Sequence, residues 1–147
     1  MCGPGQLGPH AVPWPGPARA KDSGLIEPGS VRTEIELIDR TSATTVATRI
    51  TIADTSLARL AGLMGRRGLD AGCGLLIRPS CGVHTFGMLF SIDVVALDKG
   101  LRVLKLWPRL APFRFTSIHL KAHSFLELPA GQISDSRIKV GDQLEFV

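Results

Sequence analysis

The residues best suited to chemistry lie in one stretch of the chain, between Gly72 and Asp98. Cys81, His84 and Asp93 are the residue types of a nucleophilic relay. In such a relay a base deprotonates the thiol to its reactive thiolate, and a third group orients the base. Cys81 and His84 are only three residues apart, and side chains at that spacing in an extended segment point to opposite faces. The pattern therefore admits a small hydrolase-like enzyme without establishing one, and whether the protein is an enzyme stays open.

The same stretch also supplies half of a metal-binding hypothesis. Cys81 and His84 form a C-x2-H pair, and His119 and His123 form an H-x3-H pair whose side chains would share one face of a helix. Strand-like residues flank the second pair, which disfavours a helix there. Two such pairs are far less specific than a CxxC…CxxC arrangement. These four residues are the metal-binding alternative, and the main hypothesis requires no cofactor.

Polar side chains could instead line a small ligand-binding cleft. Asp93 begins an apolar run, where an unpaired carboxylate is costly, so it requires hydrogen-bond donors nearby. We expect these donors in the preceding loop, from His84, Thr85 or the backbone amides around them. Glu127 lies in another predicted strand and could join Asp93 as an acid/base pair, although both acids serve equally well as loop anchors. His84, Thr85, Asp93 and Glu127 are therefore the candidate ligand-binding residues.

Two short apolar strands must position these residues. Gly74–Ile77 and Ile92–Leu97 are continuous apolar runs, apart from Asp93, and this is typical of strands that are buried on both faces. Pro79 and Gly82 interrupt the connection between them and argue against a continuous helix.

The flanking sequence predicts further strands and one helix. Val31–Ile38 and Thr45–Ile52 alternate between apolar and polar residues, which predicts a hairpin. Leu57, Leu60, Ala61 and Met64 recur at helical spacing, so we predict a helix from about Ser56 to Gly65. Towards the C-terminus the predicted strands are Leu101–Trp107, Ser124–Leu128 and a terminal hairpin of Arg137–Val140 with Gln143–Val147.

These elements predict a mainly β fold, either an antiparallel sandwich or a partly closed barrel, with one short α-helix. We expect this single domain to extend from Val31 to Val147. Residues 1–30 contain six Gly and six Pro. Such a composition cannot bury enough apolar surface to order itself, and it predicts a disordered tail.

Composition narrows the class of protein further. A chain of 147 residues with a net charge of +4 has room for one core. It lacks the dense Lys/Arg clustering of a dedicated nucleic-acid binder. Three singly spaced cysteines do not suit a secreted disulfide scaffold, and no apolar run approaches the roughly eighteen residues of a membrane span. We expect a cytoplasmic protein that binds neither nucleic acid nor membrane.

The connection Pro108–Ser117 is the one segment that argues for a macromolecular surface. It is rich in Pro, Arg and aromatic residues. A surface for RNA or membrane is one interpretation. A long connection pinned by its own aromatic side chains is the favoured one, because an RNA-binding surface requires interleaved stacking residues and more basic residues.

Four segments resemble one known family in their order along the chain. ADTSLARLAGLMGRRGL (Ala53–Leu69) is similar to the "adT…R..GLM.R..L" signature of the domain of unknown function 192 family, and VHTFGMLFSIDVVALDKGLRVLKL (Val83–Leu106) is similar to its central block. FLELPAG (Phe125–Gly131) and IKVGDQLEF (Ile138–Phe146) resemble its closing motifs. Many members have an aromatic-Trp-Met run before the aspartate where this chain has Val-His-Thr, so a Trp-lined pocket is not carried over. The resemblance implies a fold rather than an activity.

The resulting hypothesis is a binding or accessory module with a small polar cleft. Its partner would be a small polar ligand or another protein. The hydrolase-like enzyme and the metal-binding domain remain the alternatives.

Overall fold

The computed structural model describes residues 32–33, 35–54, 63 and 67–147. Within these residues the chain forms nine strands and one short helix. They are β1 (Arg32–Thr33), β2 (Leu37–Asp39), β3 (Thr44–Ala47), β4 (Arg49–Ala53), β5 (Cys73–Ile77), β6 (Ile92–Leu97), β7 (Val103–Leu110), β8 (Ser124–Pro129), α1 (Gln132–Ser136) and β9 (Leu144–Phe146).

The strands form two sheets. The larger sheet has the order β1-β4-β5-β8-β6-β7, and the smaller has the order β3-β2-β9. All neighbouring strands are antiparallel except β4 and β5, which run parallel, with Ile50 opposite Gly74 and Ile52 opposite Leu76. The mainly β, sandwich-like fold with a short helix is therefore confirmed, although the described helix α1 is a different one from the helix predicted near Ser56–Gly65. The expectation of a wholly antiparallel fold is corrected at this one pair.

The strands β5, β6 and β8 form the centre of the larger sheet and are buried on both faces. One face packs against the smaller sheet and α1, through Leu76, Val95 and Leu126 among others. The opposite face, which includes Leu75 and Val94, is covered by residues of the connections, among them Val83 and Met88. The continuous apolar runs in the sequence reflect this burial on two sides.

The predicted N-terminal hairpin is divided between the two sheets. β2 pairs with β3 in the smaller sheet, whereas β1 pairs with β4 in the larger one. The division falls at Thr48, where the backbone amides of Thr48 and Arg49 both donate to Gly72 O, at 2.8 and 3.1 Å. The predicted strand Thr45–Ile52 is therefore two strands, because the chain leaves one sheet and enters the other at Thr48.

The C-terminal predictions need larger corrections. The terminal hairpin is wrong: α1 precedes this region, Ile138 packs into the core, and β9 pairs with β2. β7 continues through Pro108 to Leu110, so the predicted loop starts three residues too early. Pro108 is tolerated there because β7 is an edge strand and does not need every backbone donor.

Two other predictions fall outside the described residues. They are the helix from about Ser56 to Gly65, of which only Leu63 is described and is buried, and the disordered tail over residues 1–30. The domain boundary at Val31 likewise stays a prediction. In the described part of the chain, no helix is long and apolar enough to cross a membrane.

Candidate functional site

Asp93 is fully buried and both of its carboxylate oxygens are hydrogen-bonded. Oδ1 accepts from the backbone amide of Arg109 at 2.8 Å, and Oδ2 accepts from the backbone amide of Ile133 at 2.7 Å. The carboxylate does accept backbone hydrogen bonds, as its position required. The expected donors are corrected, because they come from β7 and α1 rather than from the loop that contains His84 and Thr85.

Each of these two bonds satisfies a backbone amide that has no other acceptor in its own strand or helix. The β6–β7 register shifts between Ile92 and Val94, and Arg109 opposite has a positive φ of 50°. This β-bulge frees the Arg109 amide from the ladder, and Asp93 accepts it. α1 has no side-chain cap at Gly131, and Asp93 supplies the missing acceptor from a neighbouring strand. Asp93 therefore acts as a structural anchor between β6, β7 and α1.

Thr85 organises the connections that cover the other face of the large sheet. Its Oγ1 donates to Ala111 O at 2.6 Å and accepts from the amide of Arg114 at 2.9 Å. Its backbone amide donates to Arg114 O at 2.7 Å, and its carbonyl accepts from the amide of Phe113 at 3.1 Å. Thr85 is fully buried, so these bonds leave it out of reach of a ligand.

Further bonds continue this pairing away from Thr85. The amide of Thr116 donates to Val83 O at 2.8 Å, and the amide of His119 donates to Cys81 O at 2.9 Å. Residues 81–86 and 113–119 thus run side by side, and we call this pair of segments the loop ribbon. Val83, Thr85 and Thr116 are buried on its inner face.

The outer face of the loop ribbon carries four aromatic rings. They belong to His84, Phe86, Phe113 and Phe115, which we call the ring cluster; His84 pairs with Phe115 across the ribbon in a β-bridge. The Phe86 ring lies 5.8 Å from that of His84, 6.4 Å from that of Phe113 and 6.1 Å from that of Phe115, between centroids. Phe86, Phe113 and Phe115 are 44%, 61% and 71% exposed. Four exposed rings are therefore gathered around Phe86, which contacts each of the other three.

The residues of the nucleophilic relay are not assembled. Cys81 and His84 are both exposed, and among the described residues no hydrogen bond joins either side chain to Asp93, whose oxygens are occupied. Nothing in the described part of the chain supports the hydrolase alternative.

The metal-binding residues do not form a cluster either. The backbones of Cys81 and His119 are bonded, and the amide of Ser80 donates to His123 O at 3.0 Å. Within the described ranges, however, no three His, Cys, Asp or Glu side chains are placed to hold one ion.

Glu127 is buried on the face of the large sheet that the loop ribbon covers. It lies opposite Leu75 of β5 and Val94 of β6, and its Oε2 has no hydrogen-bond partner among the described residues. Burial raises the pKa of the Glu127 carboxyl to about 8, so the group is protonated at neutral pH. It is only 2% exposed, which keeps it from acting on a ligand.

Asp93 and Glu127 do not share a pocket. Leu128 lies opposite Asp93 and packs towards the smaller sheet, whereas Val94 lies opposite Glu127 and packs towards the connections. Because successive side chains of a strand alternate between faces, the two acids are on opposite sides of the sheet. The four residues predicted to line a polar cleft, His84, Thr85, Asp93 and Glu127, therefore do not lie around one cleft. Of the four, only His84 is exposed.

The ring cluster was not predicted from the sequence. The aromatic content of Pro108–Ser117 was visible in the sequence, but Phe86 and His84 lie about thirty residues earlier in the chain. The signal that could have found them is the alternation of His84 and Phe86 with Val83 and Thr85, which is the pattern of a half-buried extended segment.

Fold and surface together define a small mainly β protein with two packed sheets and an exposed aromatic ribbon. Comparison with known proteins shows that the chain belongs to the domain of unknown function 192 family, whose model, described as "Uncharacterized ACR", matches residues 37–146. It is 32% identical over 114 residues to a UPF0127 protein of Thermococcus sibiricus, covering 75% of this chain and 73% of that protein. A UPF0127 protein of Pyrococcus horikoshii is 31% identical over 100 residues, or 66% of this chain and 86% of that one.

The fold recurs in solved structures. A protein of unknown function from Novosphingobium aromaticivorans superposes with a TM-score of 0.63 at 19% identity, covering 76% of this chain and 82% of that one. A protein from Sinorhizobium meliloti, described provisionally as a transcription regulator, gives a TM-score of 0.64 at 19% identity, covering 84% and 98%. At this level of identity the likeness concerns the fold alone.

Proposed function

We propose that this protein is a non-enzymatic binding module and that the ring cluster is its binding surface. The observation that carries the proposal is the exposure of three phenylalanines on one face of the loop ribbon, where Phe86 contacts both Phe113 and Phe115. Contiguous apolar patches that remain exposed in a folded protein mark interaction sites more often than isolated apolar residues do.

The other candidate residues point to the same surface by elimination. Asp93 and Thr85 use their polar atoms to bond the protein backbone, and Glu127 is inaccessible. Of the four residues predicted to line a cleft, only His84 could meet a partner, and its ring contacts Phe86. A cytoplasmic location belongs to the same proposal and is supported by the odd number of singly spaced cysteines.

Mapping with small flat molecules tests the surface without assuming the natural partner. Phenol, indole and imidazole are titrated into the isotope-labelled full chain, and backbone amide shifts are followed by NMR. We expect the largest shifts at His84, Phe86, Phe113 and Phe115, because exposed rings provide both apolar area and ring faces. The variant Phe86→Ala should weaken these shifts most, since Phe86 contacts the other three rings.

A matched control is Val140→Ala. Val140 is 63% exposed and lies outside the loop ribbon, so its removal should leave the titration unchanged. Shifts that concentrate elsewhere, or that persist in full in Phe86→Ala, would show that the ring cluster is not the binding surface.

A further inference from the structure

The chain segment that carries Phe113 and Phe115 is positively charged. Residues 99–123 include six Lys or Arg and no Asp or Glu, and residues 81–86 include no charged Lys, Arg, Asp or Glu. Two of these cations lie at the loop ribbon: Arg114 is part of it, and Lys105 Nζ donates to Ser117 Oγ at 3.1 Å. A surface with charge of one sign attracts partners of the opposite sign.

Aromatic rings and cations on one surface match the chemistry of an unpaired nucleotide strand. Each nucleotide presents a flat base, which stacks on an aromatic side chain, and a phosphate, which pairs with Lys or Arg. In a duplex the base faces are already stacked on each other and are not available to the rings. We propose that the ring cluster, with Arg114 and Lys105 beside it, binds single-stranded nucleic acid; this inference rests on the proposed function and names the partner of that surface.

The structure supplies one of the two features that the sequence lacked, the interleaved stacking residues. Along the chain, Phe113 and Phe115 stand alone in a Pro-rich connection, without the interleaved stacking residues of a nucleic-acid surface. The loop ribbon brings His84 and Phe86 from a separate segment against them. Four rings then lie on adjacent segments of one extended ribbon, and aromatic rings on adjacent extended segments are what successive bases stack on in sheet-based RNA-binding modules.

An anionic lipid surface is the competing partner. Leu89, Ile118 and Leu120 are also exposed and would suit insertion into a bilayer. The ring cluster itself favours nucleotides, because its four rings are gathered on two paired segments and expose ring surface on which flat bases can stack. A histidine within the cluster also offers hydrogen bonds, which base edges can use and lipid chains cannot.

Fluorescence anisotropy of the full chain with labelled oligo(dT) and oligo(rU) of about 12 nucleotides tests this inference. We expect binding that falls steeply between about 50 and 200 mM salt, and weaker binding to a duplex of equal length. Phe115→Ala should lower the affinity by about 5- to 150-fold, the cost of one lost base stack. Arg114→Ala should reduce the slope of log affinity against log salt by about one.

A second variant separates stacking from apolar contact. Phe115→Leu retains apolar area but removes the ring, so it should lose oligonucleotide affinity nearly as Phe115→Ala does, while Val140→Ala should match the natural chain. Both ring variants alter a side chain that is 71% exposed, and their thermal unfolding midpoints verify that the fold is intact.

Two results would overturn the inference. One is the absence of oligonucleotide binding up to about 10⁻⁴ M protein, the weak limit of non-specific association. The other is oligonucleotide binding that Phe115→Ala and Phe115→Leu both leave unchanged. If oligonucleotides do not bind, binding to vesicles of phosphatidylglycerol and phosphatidylcholine that Phe115→Leu retains would assign the surface to lipid. In either case the small-molecule mapping decides separately whether the ring cluster is a binding surface, so failure of the partner and failure of the proposed function are distinguishable.

Discussion

The protonated carboxyl of Glu127 should make the stability of the fold fall as pH rises. In the folded protein burial raises the pKa of Glu127 to about 8, whereas the ordinary value in an unfolded chain is 4.5. Between these values the folded state holds a proton that the unfolded state has lost. The unfolded state then binds fewer protons, so the free energy of unfolding decreases with increasing pH. The stabilisation is complete below about pH 4.5 and is lost above about pH 8.

The size of this effect follows from the same interval. Each pH unit across it corresponds to about 1.4 kcal/mol for one proton. The total loss between pH 4.5 and pH 8 approaches about 5 kcal/mol, and about 3 kcal/mol of it has occurred by pH 7. A domain of this size has a total stability of about 5–15 kcal/mol, so the change is readily measured.

Glu127→Gln isolates the contribution because an amide of similar shape cannot ionise. Urea unfolding at a series of pH values from about 4.5 to 8 gives the free energy of unfolding of each protein. Relative to Glu127→Gln, the natural chain should lose about 1.4 kcal/mol per pH unit across this range. Glu36→Gln, which changes an exposed carboxylate, is the matched control for the loss of a negative charge. Parallel profiles for the natural chain and Glu127→Gln would refute the reasoning, because Glu127 would then titrate alike in both states.

Two further substitutions test the anchors of the sheet. Asp93→Ala should destabilise the fold by about 2–4 kcal/mol in urea unfolding, because the amides of Arg109 and Ile133 lose their acceptor. Asp93→Asn should cost less, since its amide oxygen still accepts one hydrogen bond. An unchanged midpoint in Asp93→Ala would contradict the role of Asp93 as an anchor. Gly74→Ala should cost about 1–3 kcal/mol, because a Cβ there would lie 2.8 Å from Ile50 Cδ1 and 3.1 Å from Leu128 Cδ2, and both side chains are buried in the core. A Gly74→Ala protein as stable as the natural chain would mean that the core yields at this point.

The central strands could be predicted because their signal is local. Ile92–Leu97 has the predicted bounds, and the predicted strands Gly74–Ile77 and Ser124–Leu128 each differ from the structure by one residue. An apolar run between turn residues reports burial on both faces without reference to any distant part of the chain. The same locality explains the error at the C-terminus, where alternation around Gly141 predicts a hairpin but β9 pairs with β2, about a hundred residues earlier.

The partners of Asp93 could not be predicted for the same physical reason. Its donors lie 16 and 40 residues along the chain, and one of them exists only because Arg109 adopts a left-handed conformation within a bulge. A non-glycine residue in that conformation has no clear signature in the sequence. What could be inferred was the requirement for donors, since a buried carboxylate at that position demanded them, but not their identity.

The two buried acids show why residue types alone did not define the site. Asp93 and Glu127 lie on the neighbouring strands β6 and β8, and both have apolar neighbours. Asp93 faces α1 and the bulge, where two amides need an acceptor, whereas Glu127 faces the apolar side, where its Oε2 finds no donor among the described residues. The difference follows from strand register, and it converts a predicted acid pair into one anchor and one protonated group.

The two faces of the loop ribbon differ in what they contribute to folding and what they offer to a partner. Its inner face, Val83, Thr85 and Thr116, is buried and makes the hydrogen bonds that hold the two segments together. The outer rings make none of those hydrogen bonds, and the three phenylalanines stay 44%, 61% and 71% exposed. Residues that contribute little to folding are free to serve a partner, and for this reason the proposed surface lies on the outer face of the loop ribbon and not among the buried polar residues that first suggested chemistry.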